Sequence, residues 1–247
     1  MTQYTIGVDF GTLSARAVLV DVRTGEIAAS AQHAYAHGVM DETLPSGRTL
    51  PHEWALQDAG DYLEALEKTV SALVDGTGIA LQQVIGIGTD FTACTLVPAC
   101  ADGTPLHMLA QYKDEPHAYV KLWKHHAAQQ DADRINELAH ARGETWHARY
   151  GGRVSSEWMF PKIMQILREA PQVYRQTDVF LEAGDWIVWQ MTGKCVRSAC
   201  AAGYKGMWDA KQGYPDTSFF AALDARLGNV VCEKLGGVIQ NAGTRAG

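Results

Sequence analysis

The sequence lacks the marks of several large protein classes. No apolar run approaches the roughly 20 residues that a membrane-spanning helix needs. The start, MTQYTIGVDF, enters a strand directly and leaves no room for a targeting peptide. There are only five cysteines, at Cys94, Cys100, Cys195, Cys200 and Cys232, and no two form a CxxC pair. The Cys195–Cys200 spacing lies in His-poor sequence, so neither a zinc site nor a disulfide framework is expected, and buried thiols in a reducing cytoplasm are. Positive charge is in the minority, with 21 Lys and Arg against 28 Asp and Glu and a net charge of -7. With no basic cluster to offset this, nucleic acid and anionic membrane are poor candidates for the main partner. A small anion needs only a local site and is not excluded. There is no internal repeat, no low-complexity tract and no GxxxxGK[ST] phosphate loop.

The 247 residues that are present suffice for one large domain or two small ones. Very roughly 70–75% of the unfolded surface would be buried on folding. Residues 4–10, Arg16 to Asp21 and Glu26 to Tyr35 read as strands, with Thr24-Gly25 in a hairpin turn. The chain therefore opens as an antiparallel meander rather than as a βαβ unit. A polar loop rich in Gly and Pro follows, then a helix over roughly Glu53 to Val74. Tyr62, Leu66, Thr69 and Leu73 form its apolar face, and Gly76 and Gly78 stop it. Val84 to Gly88 reads as a buried strand, Thr89 to Ala93 as a turn, and Cys94 to Pro98 as a returning strand. Asp102-Gly103 then suggests a hairpin with Pro105 to Met108 as partner.

Ala118 to Ala141 reads as mostly helical. Ser155 or Ser156 is placed to cap a helix towards Glu169, with Met159, Ile163, Ile166 and Leu167 facing inward. Glu182 to Met191 is a shorter helix closed by Thr192-Gly193, and Cys195 to Trp208 is turn-rich with room for a short strand. The tail after Gly236 begins nothing new. The fold class is α/β, a mixed sheet flanked by helices, in an order that fits the ribonuclease-H-like fold of the actin and sugar-kinase superfamily.

The stretch VDFGTLSARAVLVD asks why a strand ends in a carboxylate followed by a tight polar turn and an arginine. Gly11, Thr12, Leu13 and Ser14 can direct backbone N–H groups at one phosphate, and Gly11 tolerates a positive φ or a close approach. Thr12 and Ser14 add hydroxyls, and Arg16 adds a permanent planar cation. A carboxylate beside a phosphate repels it unless a cation lies between, so Asp9 reads as a ligand to Mg²⁺, directly or through water. The residues alone fit a polar hairpin turn nearly as well.

DFGTLSAR matches the DxGTxSxR pattern of the FGGY carbohydrate kinases, and the chain resembles the ribulokinase branch of that family. The stretches GIGTDFTACTLVP, LWKHHAA, YGGRVSSEWMFPKI, LEAGDWIVWQMTG and AAGYKGMWDA carry the likeness from Gly7 to Ala210. The resemblance implies two actin-like domains around a cleft. Residues 1–247 would be the N-terminal sugar-binding domain, incomplete at its C-terminal end, with the ATP-binding domain absent. It implies ATP-dependent phosphorylation of L-ribulose by a full-length parent, with ATP and Mg²⁺ required and the isolated fragment inactive. A homodimer and a cytoplasmic location are compatible with it. The alternatives are a kinase for another ketopentose or polyol, such as xylulose, and a non-catalytic sugar-binding module.

By the same resemblance, Asp9 organises Mg²⁺, and Gly11, Thr12, Ser14 and Arg16 address the phosphate. Ala93, in GTDFTAC, touches sugar through its backbone, with Asp90 a further candidate. Lys205, in AGYKGMW, lies against substrate, and Trp123 forms a wall of the sugar site or packs in the core. Trp158 and Trp208 are expected in the core. The family's general base lies beyond this chain, and Glu233, its last acid, matches no motif. Where relatives commonly read WKDH, this chain has Trp123-Lys124-His125-His126, which touches specificity only if the replaced acid bonded sugar. Neighbours on a helix point about 100° apart, so the two histidines are not read as a metal site.

Overall fold

The computed structural model describes residues 2–247, and the chain divides into two compact units. The first comprises residues 1–39 and 57–92, the second residues 40–56 and 93–247.

The first unit begins with β1 (Tyr4–Phe10), β2 (Ser14–Asp21) and β3 (Ile27–Ala34), an antiparallel meander. A two-residue strand, β4 (Leu56–Gln57), falls at the boundary between units. It leads into α1 (Ala59–Thr77), which starts later than the sequence suggests because Asp58 caps it, accepting from the Gly60 N–H at 2.8 Å. Gly78 closes the helix in the left-handed conformation. Tyr62, Thr69 and Leu73 of the expected apolar face are buried, with Leu66 partly so.

β5 (Val84–Phe91) then pairs parallel to β1, giving the order β3-β2-β1-β5. It runs through Thr89, Asp90 and Phe91, where the sequence suggested a turn. Phe91 explains the extension: its ring stacks on Phe10 at 5.0 Å and meets Tyr62 edge-on at 4.9 Å. Phe10 and Tyr62 are wholly buried, and burial of such side chains stabilises by about 1.5–3 kcal/mol each. β5 is also less buried than expected, with Ile85 and Ile87 about half exposed.

The second unit carries a small sheet in the order β4-β7-β6-β8, built with β6 (Leu96–Ala99), β7 (Val120–Lys121) and β8 (Val179–Glu182). β6 runs antiparallel to both β7 and β8. Pro105 makes only an isolated bridge to Ala99, and the chain coils into a single turn over Leu106–Met108 instead of forming a strand. The stretch expected to be helical from Ala118 contains β7 and a turn first, so α2 spans only Gln129–Arg142.

Four helical segments follow: a single turn, α3 (Thr145–Ala148), then α4 (Met159–Glu169), α5 (Pro171–Gln176) and, after β8, α6 (Ala183–Thr192). No side-chain cap holds α4, and the Ser155 hydroxyl accepts from the Glu157 N–H one turn earlier. Every residue from Met159 to Leu167 is buried, so α4 is a core helix rather than a half-exposed one. Trp158 belongs to the same core, while Trp208 is half-buried. The chain ends through β9 (Val196–Ser198), α7 (Ala199–Tyr204), α8 (Thr217–Leu223), α9 (Val230–Lys234) and β10 (Val238–Gln240). β10 pairs parallel with β9, so the tail does begin an element. Among the described residues no helix is long and apolar enough to cross a membrane.

Candidate active site

In the first unit, Asp9 lies in register with Arg16 on one side and Asp90 on the other. Directly paired residues share a face of a sheet. Arg16, Asp9 and Asp90 thus form a row across β2, β1 and β5, all three exposed. The Arg16 guanidinium stands 3.8 Å from an Asp9 carboxylate oxygen. Asp90, singled out by sequence as a sugar contact, belongs with this row through its pairing to Asp9.

The turn joining β1 to β2 closes when Gly11 N–H donates to the Ser14 carbonyl at 3.0 Å. That amide is therefore spent on the turn and is not aimed outward as the phosphate reading supposed. Gly11 has no positive φ. A side chain there would bring its Cβ to 3.2 Å from the Ser14 carbonyl, so it is close approach that glycine permits. The Thr12 carbonyl accepts from Gln57 Nε2 at 2.8 Å, and Gln57 Oε1 in turn accepts from the Tyr62 hydroxyl at 2.6 Å. The turn is thus held on the helix side by two buried side chains. Ser14 is buried, and its hydroxyl accepts from Gln32 Nε2 at 3.2 Å. Tyr35, not singled out by sequence, donates its backbone N–H to the Leu13 carbonyl. Burial, then the charges of Asp9 and Asp61, push its hydroxyl pKa well above the usual value, so it stays protonated.

The hard oxygens of Asp9 and Asp90, open to water, are a donor set that fits Mg²⁺, which takes one or two carboxylates and keeps its remaining waters or substrate phosphates. Among the described residues no group of three or more His, Cys, Asp or Glu could hold a metal by itself.

The second unit holds Ala93, Trp123 and Lys205. Ala93 is exposed, and Cys94 after it adopts a left-handed φ of 65°. Trp123 is 38% exposed, so it lies at the surface and not in the core. Lys205 follows α7, and its Nζ donates to Glu157 Oε2 at 2.9 Å. Burial lowers the Lys205 pKa, but the Glu157 hydrogen bond and neighbouring negative groups outweigh it and leave the ammonium above its ordinary value. The close chain path here depends on Gly206, since a Cβ at that position would meet the Ala202 carbonyl oxygen at 2.7 Å.

His125 is fully buried rather than lining a ligand site. Its Nδ1 accepts from the Ala55 N–H at 3.2 Å, so Nε2 carries the proton and donates to Gln165 Oε1 at 2.8 Å. Burial and the nearby Lys121 and Lys162 hold its pKa far below normal, in agreement with this neutral form. Its ring packs edge-on to Trp54 at 5.0 Å. The WKHH departure is therefore a bracing position in the core.

Sequence reasoning missed Glu157, Lys162 and Glu182. The last two are buried charges lying beside Cys94. The available signal for Lys162 was a lone cation inside MFPKIMQIL, a run that is otherwise apolar but for one glutamine.

In the first unit, a carboxylate–arginine row beside a tight turn is a local arrangement suited to holding a phosphate with a metal ion. The chain belongs to the FGGY family of carbohydrate kinases, whose N-terminal domain it matches over residues 4–231. It is 55% identical over 247 residues to a ribulokinase of Halalkalibacterium halodurans and 54% identical over 248 residues to one of Shouchella clausii. In both comparisons all of this chain aligns with 44% of the relative. The chain therefore spans less than half the length of the curated relatives it matches. Among solved structures, a "xyloylose kinase" from Brucella ovis superposes with a TM-score of 0.73 at 17% identity, covering 96% of this chain and 43% of the other. That likeness establishes the sugar-kinase fold.

Proposed function

We propose that this chain is the sugar-binding, phosphate-facing part of a kinase that transfers the terminal phosphoryl group of Mg·ATP to a hydroxyl of L-ribulose. The observation that carries the reading is the Arg16–Asp9–Asp90 row, in which a permanent cation and two hard carboxylates sit side by side next to the β1–β2 turn. Arg16 is suited to the phosphate oxygens, while Asp9, with Asp90, is suited to hold Mg²⁺. The bound metal would neutralise phosphate charge as it moves from donor to acceptor. The Thr12 hydroxyl supplements the turn, which Gly11 keeps narrow, while the buried Ser14 hydroxyl, accepting from Gln32, braces it from within.

Sugar recognition falls to the second unit. The backbone at Ala93, the Trp123 ring and the Lys205 ammonium offer donors and an apolar wall to a polyhydroxylated chain. The substrate hydroxyl oxygen forms a bond to the γ-phosphorus, the bond to the β-phosphate oxygen breaks, and ADP leaves. The hydroxyl proton passes to a base that the family resemblance puts beyond Gly247. The assignment to ribulose rests on the ribulokinase relatives, which match across the whole chain. ATP binding would fall to the remaining length those relatives have.

A coupled ADP-release assay on the complete polypeptide tests this, with L-ribulose, D-ribulose, D-xylulose, L-xylulose, L-fuculose and glycerol, with and without Mg²⁺. Mg²⁺-dependent turnover strongest with L-ribulose is expected. Preference for another polyol would overturn the sugar assignment, and no turnover with any would overturn the kinase reading.

A further inference from the structure

Lys162 sits within α4 with no exposed surface, and its ammonium is closed off from solvent. It instead donates to three main-chain carbonyls: Cys94 at 2.5 Å, Leu122 at 2.8 Å and, more weakly, Lys121 at 3.4 Å. Cys94 directly follows Ala93, and Leu122 directly precedes Trp123. One buried ammonium therefore ties together the two segments that carry the exposed candidate sugar contacts of this unit.

The other backbone group of the same residue is also held. The Cys94 N–H hydrogen-bonds to the buried Glu182 carboxylate at the end of β8. Glu182 and Lys162 also favour each other's charged forms. The next residue along, Thr95, accepts from the Ala183 N–H at 2.8 Å. Cys94 needs such support, because a non-glycine residue at φ 65° lies in a region that L-residues occupy at a cost. A methionine at position 162 would fill similar space without the cost of burying a cation. What the ammonium adds is direction: three donors aimed at three carbonyls.

We infer that Lys162 and Glu182 are positioning residues for sugar binding, which hold the Cys94 carbonyl and the Cys94 N–H on either side of its Cα and so fix where the Ala93 backbone and the Trp123 ring are presented. The inference rests on the ketopentose-kinase reading for its functional half, while the grip itself does not. Neither residue touches the sugar, and both act through the segments they hold. The Cys94 thiol, buried at 2% exposure, reports directly on that grip.

The test uses Lys162→Met and Glu182→Gln in the complete polypeptide, with circular dichroism to establish folding. Iodoacetamide labelling of Cys94, read by peptide mass mapping, measures the grip independently of any activity. Steady-state kinetics measure KM for L-ribulose and for ATP separately. In folded variants, Cys94 labelling is expected to quicken about tenfold or more and KM for L-ribulose to rise about tenfold, with KM for ATP held within about twofold. Unchanged Cys94 labelling in folded variants would overturn the inference. So would faster labelling with an unaltered sugar KM. If Lys162→Met does not fold, the near-isosteric Glu182→Gln is read in its place by the same criteria. If the unsubstituted protein turns over no sugar, the kinase reading fails by itself, and the labelling rate still decides whether the grip exists.

Discussion

Lys205 Nζ and Glu157 Oε2 are 2.9 Å apart, with both side chains roughly three-quarters covered. A cation so placed keeps its charge while one of its three hydrogens is committed, leaving two for a ligand. Replacing Lys205 with Met should lower kcat/KM for L-ribulose by about 10²-fold, the scale for loss of a charged donor in a binding site. Glu157→Gln keeps an acceptor and should cost less, about tenfold. Steady-state kinetics on the complete polypeptide distinguish the two, and equal effects would mean Glu157 does more than orient the lysine.

Arg16 and Asp9 form an exposed pair, and such pairs contribute little to folding. Arg16→Met should leave the unfolding free energy within about 0.5 kcal/mol of the unsubstituted protein while reducing kcat/KM by about 10²-fold. Asp9→Asn should raise the Mg²⁺ concentration needed for half-maximal rate. A magnesium titration of each variant checks this, and an unchanged magnesium profile for Asp9→Asn would remove Asp9 from the metal site.

Gly206→Ala places a methyl group 2.7 Å from the Ala202 carbonyl oxygen, where backbone rather than a flexible side chain must yield. Destabilisation of about 1–3 kcal/mol is expected from urea unfolding. Lys205 is the adjacent residue, so the sugar KM should rise with it.

Acid should weaken the fold through His117. Burial, helped by the nearby Lys121, draws its pKa from 6.5 down to about 4, against the pull of its Glu169 partner at 3.1 Å. Between pH 6.5 and about 4 the unfolded chain holds this proton and the folded chain does not, so stability is lost as pH falls through that window. The loss from this group is about 3 kcal/mol at its lower end. Burial lowers the pKa of His125 as well, which acts in the same direction. Denaturation midpoints for the unsubstituted protein and His117→Gln from pH 7 to 4 should diverge, the variant falling less steeply.

The opening meander, the apolar face of α1 and the glycine that ends it were legible because they depend on local periodicity and turn chemistry. β5 ran past its expected end because Phe91 finds Phe10 and Tyr62, partners far away in sequence. The same long-range pairing brings Asp90 beside Asp9, which no spacing rule reveals. Pro105 to Met108 looked like a hairpin arm but makes one bridge before coiling. Lys162 and Glu182 were invisible for another reason: composition and pattern assign charge to the surface, and only packing shows which carbonyls or amides a buried charge serves.

The row of three charged residues has a consequence in time as well as in space. Asp9 and Arg16 are seven positions apart and meet through a tight turn, whereas Asp90 comes 81 positions after Asp9 and arrives only through a parallel crossover. Contacts of short range close early and crossovers close late, because the entropy of the intervening loop must first be overcome. On that principle the arginine and its carboxylate are expected to meet before the second carboxylate joins them. If Asp9 and Asp90 hold a metal ion, its binding would act on the last step of that assembly, favouring the docking of β5 rather than the making of the turn.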